Sequence, residues 1–251
     1  MNKIIAVANQ KGGVGKTTTA INLSASLALK NMRVLIIDLD PQGMATIGLG
    51  KNKEEKKGIY PSLMNGRYIM DYVRPADLSN LYLCPCSPEL AGFELEISSQ
   101  ENREGRLRDA LSKIKKYFNF IFIDCPPSLG FLTINALTAA DSVLIPIQTE
   151  FFCMEAIPDL LRTFDEVRTY FNQSLTLEGI VLTMYDERTN LAKQVEAELR
   201  KSLKEIIYEI IIPRTVRLAE APSFGKPALL YDIKSRGAQS YLNLAREILA
   251  R

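Results

Sequence analysis

An apolar, β-branched run, KIIAVAN at positions 3–9, passes directly into the glycine-rich stretch QKGGVGKTTT and then into a helical pattern reaching about Lys30. Few local sequences restrict a chain so strongly. A buried strand that opens through glycines onto a helix N-terminus converges several backbone N–H groups on one point, and oxygens of a phosphate fit that point. The stretch matches G-x-x-x-x-G-K-[ST] at Gly15, Lys16 and Thr17, with Gln10 in the first glycine position. Glutamine is compatible there if the chain enters the loop extended, because only a positive φ demands glycine. On this reading Gly12, Gly13, Val14, Gly15 and Thr18 contribute to a phosphate cradle, Lys16 neutralises the β/γ-phosphates, and the Thr17 hydroxyl reaches Mg²⁺. Lys11 adds a second positive charge, and the motif alone does not say what it is for.

The same strand-then-helix alternation continues. RVLIID (33–38), LYLCP (81–85), FIFID (120–124), SVLIPI (142–147), GIVLTM (179–184) and YEIIIP (208–213) read as strands, with a helix expected from about Arg103 to Tyr117. Nearly continuous apolar strands separated by helices imply an α/β fold, a doubly wound, mostly parallel sheet with helices on both faces. We expect one P-loop domain spanning 1–251, since no repeat or low-complexity tract interrupts it and KNKEEKKG (51–58) reads as a solvated connector. The last helix, about Ala238 to Leu249, places Tyr241, Leu242, Ala245, Ile248 and Leu249 on a core-facing stripe.

Histidine is absent, which excludes Ser-His and Cys-His nucleophilic mechanisms. Hydrolytic chemistry in this chain must use carboxylates, lysines and a bound metal ion. Cys84, Cys86, Cys125 and Cys153 are too sparse for a disulfide framework, and the C-x-C lacks further ligands at metal-site spacing. No apolar run is long enough for a bilayer span and no signal peptide is evident, so a cytoplasmic location without membrane attachment is expected.

A nucleotide site needs acidic partners. FIFIDCPP places Asp124 at a strand end, where a metal-supporting aspartate belongs, and LIIDLDPQG places Asp38 and Asp40 at the end of another strand. An aspartate at a strand end also forms turns. Two of them at the carboxyl edge of a doubly wound sheet, where such folds bind ligands, favour a functional role.

The loop KGGVGKTT, with its early lysine, resembles the deviant Walker A motif of the ParA/MinD family of ATPases. DLDPQG, IDCPPSLG, INALTAADSVLIPIQTEF, LTMYDERTN and IPRTVRLAEAPSFGKP are similar to the chromosomal ParA (Soj) branch from the first strand almost to the last helix. The resemblance implies an ATP- and Mg²⁺-dependent ATPase of chromosome or plasmid partitioning that closes as a homodimer around two nucleotides. It implies that Lys11 reaches the partner's nucleotide, that Asp40 orients the attacking water, and that Thr17, Asp40 and Asp124 serve the metal, with Lys11, Lys16 and Asp40 as the catalytic set. Pro213 and Thr215 would border the adenine. A ParB-like centromere-binding protein would stimulate hydrolysis. Two positions depart from the pattern, Met44 and Thr215, where relatives carry asparagine. The alternative within the family is a MinD-like, membrane-associated division-site ATPase; an iron–sulfur ATPase, suggested by Cys125 and Cys153, and a non-hydrolysing nucleotide switch are further alternatives.

From Arg188 to Arg236 the chain holds ten Lys or Arg against six Asp or Glu, although its overall formal charge is only +2. Solvated helix faces would explain such an excess. By the resemblance, Arg188, Arg214, Arg217, Lys226, Lys234 and Arg236 are candidates for contacting the phosphates of double-stranded DNA without sequence preference, which would make the ATP-bound form nucleoid-associated.

Overall fold

The computed structural model describes residues 2–54, 57–150 and 153–251, leaving aside the side chains of 153–156, 159–160 and 204. In chain order the elements are β1 (Lys3–Val7), α1 (Lys16–Ala28), β2 (Val34–Asp38), α2 (Met44–Gly48), α3 (Tyr60–Asn65), β3 (Arg74–Pro75), β4 (Leu81–Cys84), α4 (Phe93–Ile97), α5 (Arg106–Ser112), β5 (Phe120–Asp124), α6 (Phe131–Ala139), β6 (Ser142–Gln148), α7 (Cys153–Tyr170), β7 (Thr176–Thr183), α8 (Asn190–Leu203), α9 (Val216–Glu220), α10 (Ala228–Tyr231) and α11 (Arg236–Ala250). The strands form one sheet in the order β3-β4-β2-β5-β1-β6-β7. Every pairing is parallel except that of the short edge strand β3 with β4.

The expected doubly wound sheet is present, and its cause is visible along each strand. On β1, Ile4 and Ala6 enter a core with α5 and α6, while Ile5 and Val7 enter the opposite core with α1 and α11. Period-two alternation of apolar residues on both sides of a strand requires covering layers on both faces. Thr19 of α1 and Tyr241 of α11 share a buried hydrogen bond of 3.0 Å between their hydroxyls, which ties two helices of one layer. On α11, Tyr241, Ala245 and Ile248 are buried as expected, Leu242 is half-buried, and Leu249 is exposed while Leu244 takes a core position.

Some elements differ from expectation. YEIIIP does not form a strand; it contributes one isolated bridge, Pro213 with Tyr185, and the preceding Ile207 makes another with Ile180 of β7. Glu247 of α11 explains the gap, because its carboxylate accepts from Glu209 N (2.9 Å) and Ile210 N (3.1 Å), amides that a ladder would otherwise use. The helix expected over 103–117 is shorter, Arg106–Ser112 followed by a 3₁₀ turn at Lys115–Tyr117. The charged connector is a mostly exposed loop, as expected, with surface contacts from Lys51 to Asp77 (3.5 Å) and from the Lys53 ammonium to the Gln42 carbonyl (3.1 Å), while residues 55–56 of it lie outside the described ones.

Candidate nucleotide site

β1, β2 and β5 end at one edge, and the chemistry collects there. Register places Val7 and Asp38 on either side of Asp124 in adjacent parallel strands. From β1 the chain turns through Gly12, Gly13, Val14 and Gly15 into α1. Gly13 (φ 75°) and Gly15 (φ 88°) are left-handed, so glycine is required at both, and Gly15 caps the helix with backbone alone. The Thr19 amide is taken by Gly15 O at 2.8 Å, which leaves the earlier amides of the turn without intrahelical partners. Thr17 and Thr18 occupy the first turn of α1.

Lys16 is 7% exposed and its ammonium donates to the Lys11 carbonyl at 3.1 Å. Burial lowers its pKa, and the nearby Asp124 works in the opposite direction. A phosphate oxygen at that position would replace a neutral acceptor by a charged one. Lys11 points elsewhere: its Nζ lies 2.6 Å from Glu150 Oε2, at the end of β6. Gln148 Nε2 donates to the other oxygen of Glu150 at 2.6 Å and orients the carboxylate.

Asp124 is fully buried, and neither of its carboxylate oxygens has a hydrogen-bond partner. Burial first, then the charge of Asp38, pushes its pKa well above the ordinary range; the Thr17 hydroxyl faces it and favours the charged form, though without geometry that satisfies either oxygen. Asp38 is also fully buried. Its Oδ2 accepts from Thr46 N (2.7 Å) and Thr46 Oγ1 (2.6 Å), its Oδ1 has no partner, and burial carries its pKa up to about 6. Asp40, two residues beyond Asp38, is buried as well, 9% exposed, with Oδ1 accepting from Gln42 N at 2.9 Å.

Orphaned buried carboxylate oxygens are costly, and a divalent cation is the partner that would satisfy them. Among the described residues no three His, Cys, Asp or Glu side chains are grouped to hold a metal by themselves. That donor set suits Mg²⁺, which is commonly held through one or two carboxylates together with substrate phosphates and water. Thr17, Asp40 and Asp124 therefore could hold it. Cys84, Cys86 and Cys125 are free, buried thiols; burial raises all three, Cys86 to about 12. The side chain of Cys153 lies outside the described ones.

Beyond Gly15 and Thr18 a cleft of about 800 Å³ opens between the segment Thr183–Arg188 and the segment Ile212–Ala219, closed below by Tyr241. That volume accommodates a nucleoside. Pro213 and Thr215 are among the residues that line it. The Thr215 hydroxyl, however, accepts from Leu218 N at 3.3 Å and caps α9. Met44, the other departure, begins α2 and is 48% exposed. Met184 (φ 49°) and Thr183, whose Oγ1 donates to Val14 O at 2.8 Å, were not singled out in the sequence; a strand-end threonine followed by a methionine carries no signal of its own.

The six basic residues proposed to contact DNA do not form one free surface. Arg188, Arg214 and Arg236 line the cleft. Arg188 is held by Asp186 (2.7 and 2.8 Å), Arg236 forms a two-bond pair with Glu187 (3.0 and 3.2 Å), and Arg217 meets Glu220 (3.0 Å) and Asp232 (3.5 Å). Lys226 and Lys234 bracket α10, each with its backbone amide engaged nearby, to Ala221 O and Asp232 Oδ1.

Comparison with known proteins agrees with this geometry. Residues 2–177 match the AAA domain family. A chromosome partitioning protein ParA of Myxococcus xanthus is 52% identical over 100% of this chain and 89% of its own length, and the sporulation initiation inhibitor protein Soj of Bacillus subtilis is 50% identical over 100% and 99%. Among solved structures, a cobyrinic acid a,c-diamide synthase of Mycobacterium smegmatis with bound ADP and magnesium superimposes with a TM-score of 0.86 at 35% identity, covering 99% of this chain and 94% of that one. Phosphate loop, sheet order and full-length similarity agree, and the chain belongs to the ParA/Soj family of chromosome partitioning proteins within the AAA domain group.

Proposed function

We propose that this protein is a partitioning ATPase that binds ATP with Mg²⁺, closes as a homodimer, holds double-stranded DNA without sequence preference in that state, and lets go on hydrolysis stimulated by a ParB-like centromere-binding partner. The observation that carries the reading is the meeting of a buried Lys16 under a glycine turn with two in-register buried carboxylates, three of whose four oxygens lack partners. In this reading the turn from Gly12 to Thr18 binds the triphosphate, Pro213 and Thr215 border the base, and Asp40 orients the attacking water. Mg²⁺, held through Thr17, Asp124 and Asp40, would neutralise charge developing on the phosphates. Lys11 leaves Glu150 to contact the nucleotide of the second subunit, which couples hydrolysis to dimerisation.

The partitioning names of the relatives at 50–52% identity support this use of the nucleotide over the amidation named for the structural neighbour at 35%. No described helix is long and apolar enough to cross a membrane. The test is ATP turnover measured alone, with DNA, and with DNA plus the centromere-binding partner. Stimulation by the last combination is expected. Turnover indifferent to both additions would overturn the partitioning role, and stimulation by anionic vesicles in their place would favour the MinD-like alternative.

A further inference from the structure

We infer that Glu94, a residue outside the nucleotide site, is a positioning residue for Asp124, acting through the first turn of α6. Asp124 ends β5, and only the segment Cys125–Gly130 separates it from α6 at Phe131. A loop this short transmits the placement of one end to the other. At the site end, the Asp124 oxygens make no hydrogen bond that would hold their direction. At the other end Gly130, the residue preceding α6, supplies no side-chain cap. Glu94 of α4 supplies the cap from a distance of 37 residues: Oε2 accepts from Phe131 N at 2.9 Å and Oε1 from Leu132 N at 3.3 Å. An acidic group there satisfies two orphan amides and opposes the positive end of the helix.

Neighbouring contacts tighten the same turn. The Arg103 guanidinium lies 4.9 Å from the Phe131 ring centre, and Asn135 donates to Arg103 O (2.7 Å) and Phe131 O (2.9 Å) while accepting from Leu107 N (3.1 Å). Gly130 leaves the room this contact occupies, and its backbone angles are ordinary: a Cβ at that position would overlap the Glu94 carboxylate, the end of a flexible side chain that would have to swing aside. Glu94 and Gly130 thus form one device, in which removal of the carboxylate or addition of a methyl group displaces the same contact.

This inference rests on the ATPase reading, and its test separates the two. Glu94→Gln and Gly130→Ala are compared with wild type and with the double variant. Amide hydrogen exchange without nucleotide should rise at least about tenfold across 125–134 in both single variants, and stay unchanged in α1. With ATP, the Mg²⁺ concentration for half-maximal turnover should rise by about 10-fold or more, as for the loss of an outer-shell partner, with the affinity for ATP measured without metal within about twofold of wild type. The double variant should be no worse than the poorer single one. Additive effects, or wild-type exchange and metal dependence in Glu94→Gln, overturn the inference. Absence of turnover in the wild type itself overturns the ATPase reading, and the exchange result then still decides whether Glu94 holds the loop.

Discussion

Asp38 and Asp124 stand opposite each other in adjacent parallel strands, both fully buried, with three of their four carboxylate oxygens lacking a hydrogen-bond partner. Two acids placed this way oppose each other's ionisation and destabilise the empty protein. Asp124→Asn is therefore expected to raise the melting temperature of the nucleotide-free protein by several degrees, on the scale of about 2–4 °C per kcal/mol for a chain of this size, while abolishing Mg²⁺-dependent turnover. A lower melting temperature would mean that the pair is satisfied in solution.

The pH dependence of Asp38 follows from its shift. Its pKa rises from the ordinary 3.8 to about 6 on folding, so the folded state holds the proton more tightly. The stability that this contributes is full below about pH 4 and is lost as pH rises through about 6. At one pKa unit per about 1.4 kcal/mol, the loss amounts to a few kcal/mol. Denaturant melts of wild type and Asp38→Asn should diverge in favour of the variant between pH 4 and 6.5 and run parallel above that. Parallel curves throughout that window would show Asp38 ionising normally.

The two lysines of the loop should behave differently. Lys16→Ala removes the buried counter-charge and should abolish binding of a fluorescent ATP analogue, whereas Lys11→Ala should bind it and fail to dimerise. Glu150→Gln should do the reverse of Lys11→Ala. The Lys11–Glu150 pair is about 40% exposed on each side, so its strength falls in the range of about 0.2–1 kcal/mol for surface pairs. Dimerisation at up to about fivefold lower protein concentration, measured by light scattering with a non-hydrolysable analogue, is the expected result. A Glu150→Gln variant that needs more protein than wild type would place Glu150 among the groups that bind across the interface.

What could be read from the chain ahead of its fold depended on how local each feature is. Lys16, Thr17 and the left-handed glycines lie within one turn of sequence, and Asp124 ends an unmistakable apolar run. The cleft beside the loop is different, since Tyr185 N reaches Ile212 O (3.1 Å) and Arg214 N reaches Tyr185 O (3.0 Å) across a gap in sequence that no pattern spans. YEIIIP has the composition of a strand, and only the position of Glu247 on α11 shows why its amides leave the ladder. Counting charges from Arg188 to Arg236 found an excess but could not show that Asp186, Glu187 and Glu220 sit against the arginines.

Asp40 is tied by one carboxylate oxygen to the Gln42 amide. Asp40→Asn keeps an oxygen for that turn and loses the charge. It should bind ATP normally, turn over at least about 100-fold more slowly, the range for loss of a general base, and accumulate as the ATP-bound dimer in gel filtration. Asp40→Ala should behave alike, with some loss of affinity because the turn is released. Normal turnover in both would move water positioning to Asp38.

The proposed DNA surface gives the most demanding prediction, because Arg188, Arg217 and Arg236 are paired in the single subunit. Arg188 is neutralised by Asp186, which keeps its own pKa low, near 2, through that bond. A single subunit that contacts few phosphates releases few counterions, whereas two subunits joined by ATP would bring two such regions to one particle. ATP-dependent DNA retention should fall with salt at a log–log slope of about −0.9 per phosphate contacted. Arg188→Glu with Arg217→Glu should reduce that slope and the retention without changing ATP-dependent dimerisation. Asp186→Asn should do the opposite, since it frees Arg188 and leaves the backbone of the turn intact. DNA fragments of equal length and different sequence should be held equally. Retention that ignores all three substitutions would return the stretch to a solvated surface whose charges serve only the cleft, where Arg188 and Arg236 already stand.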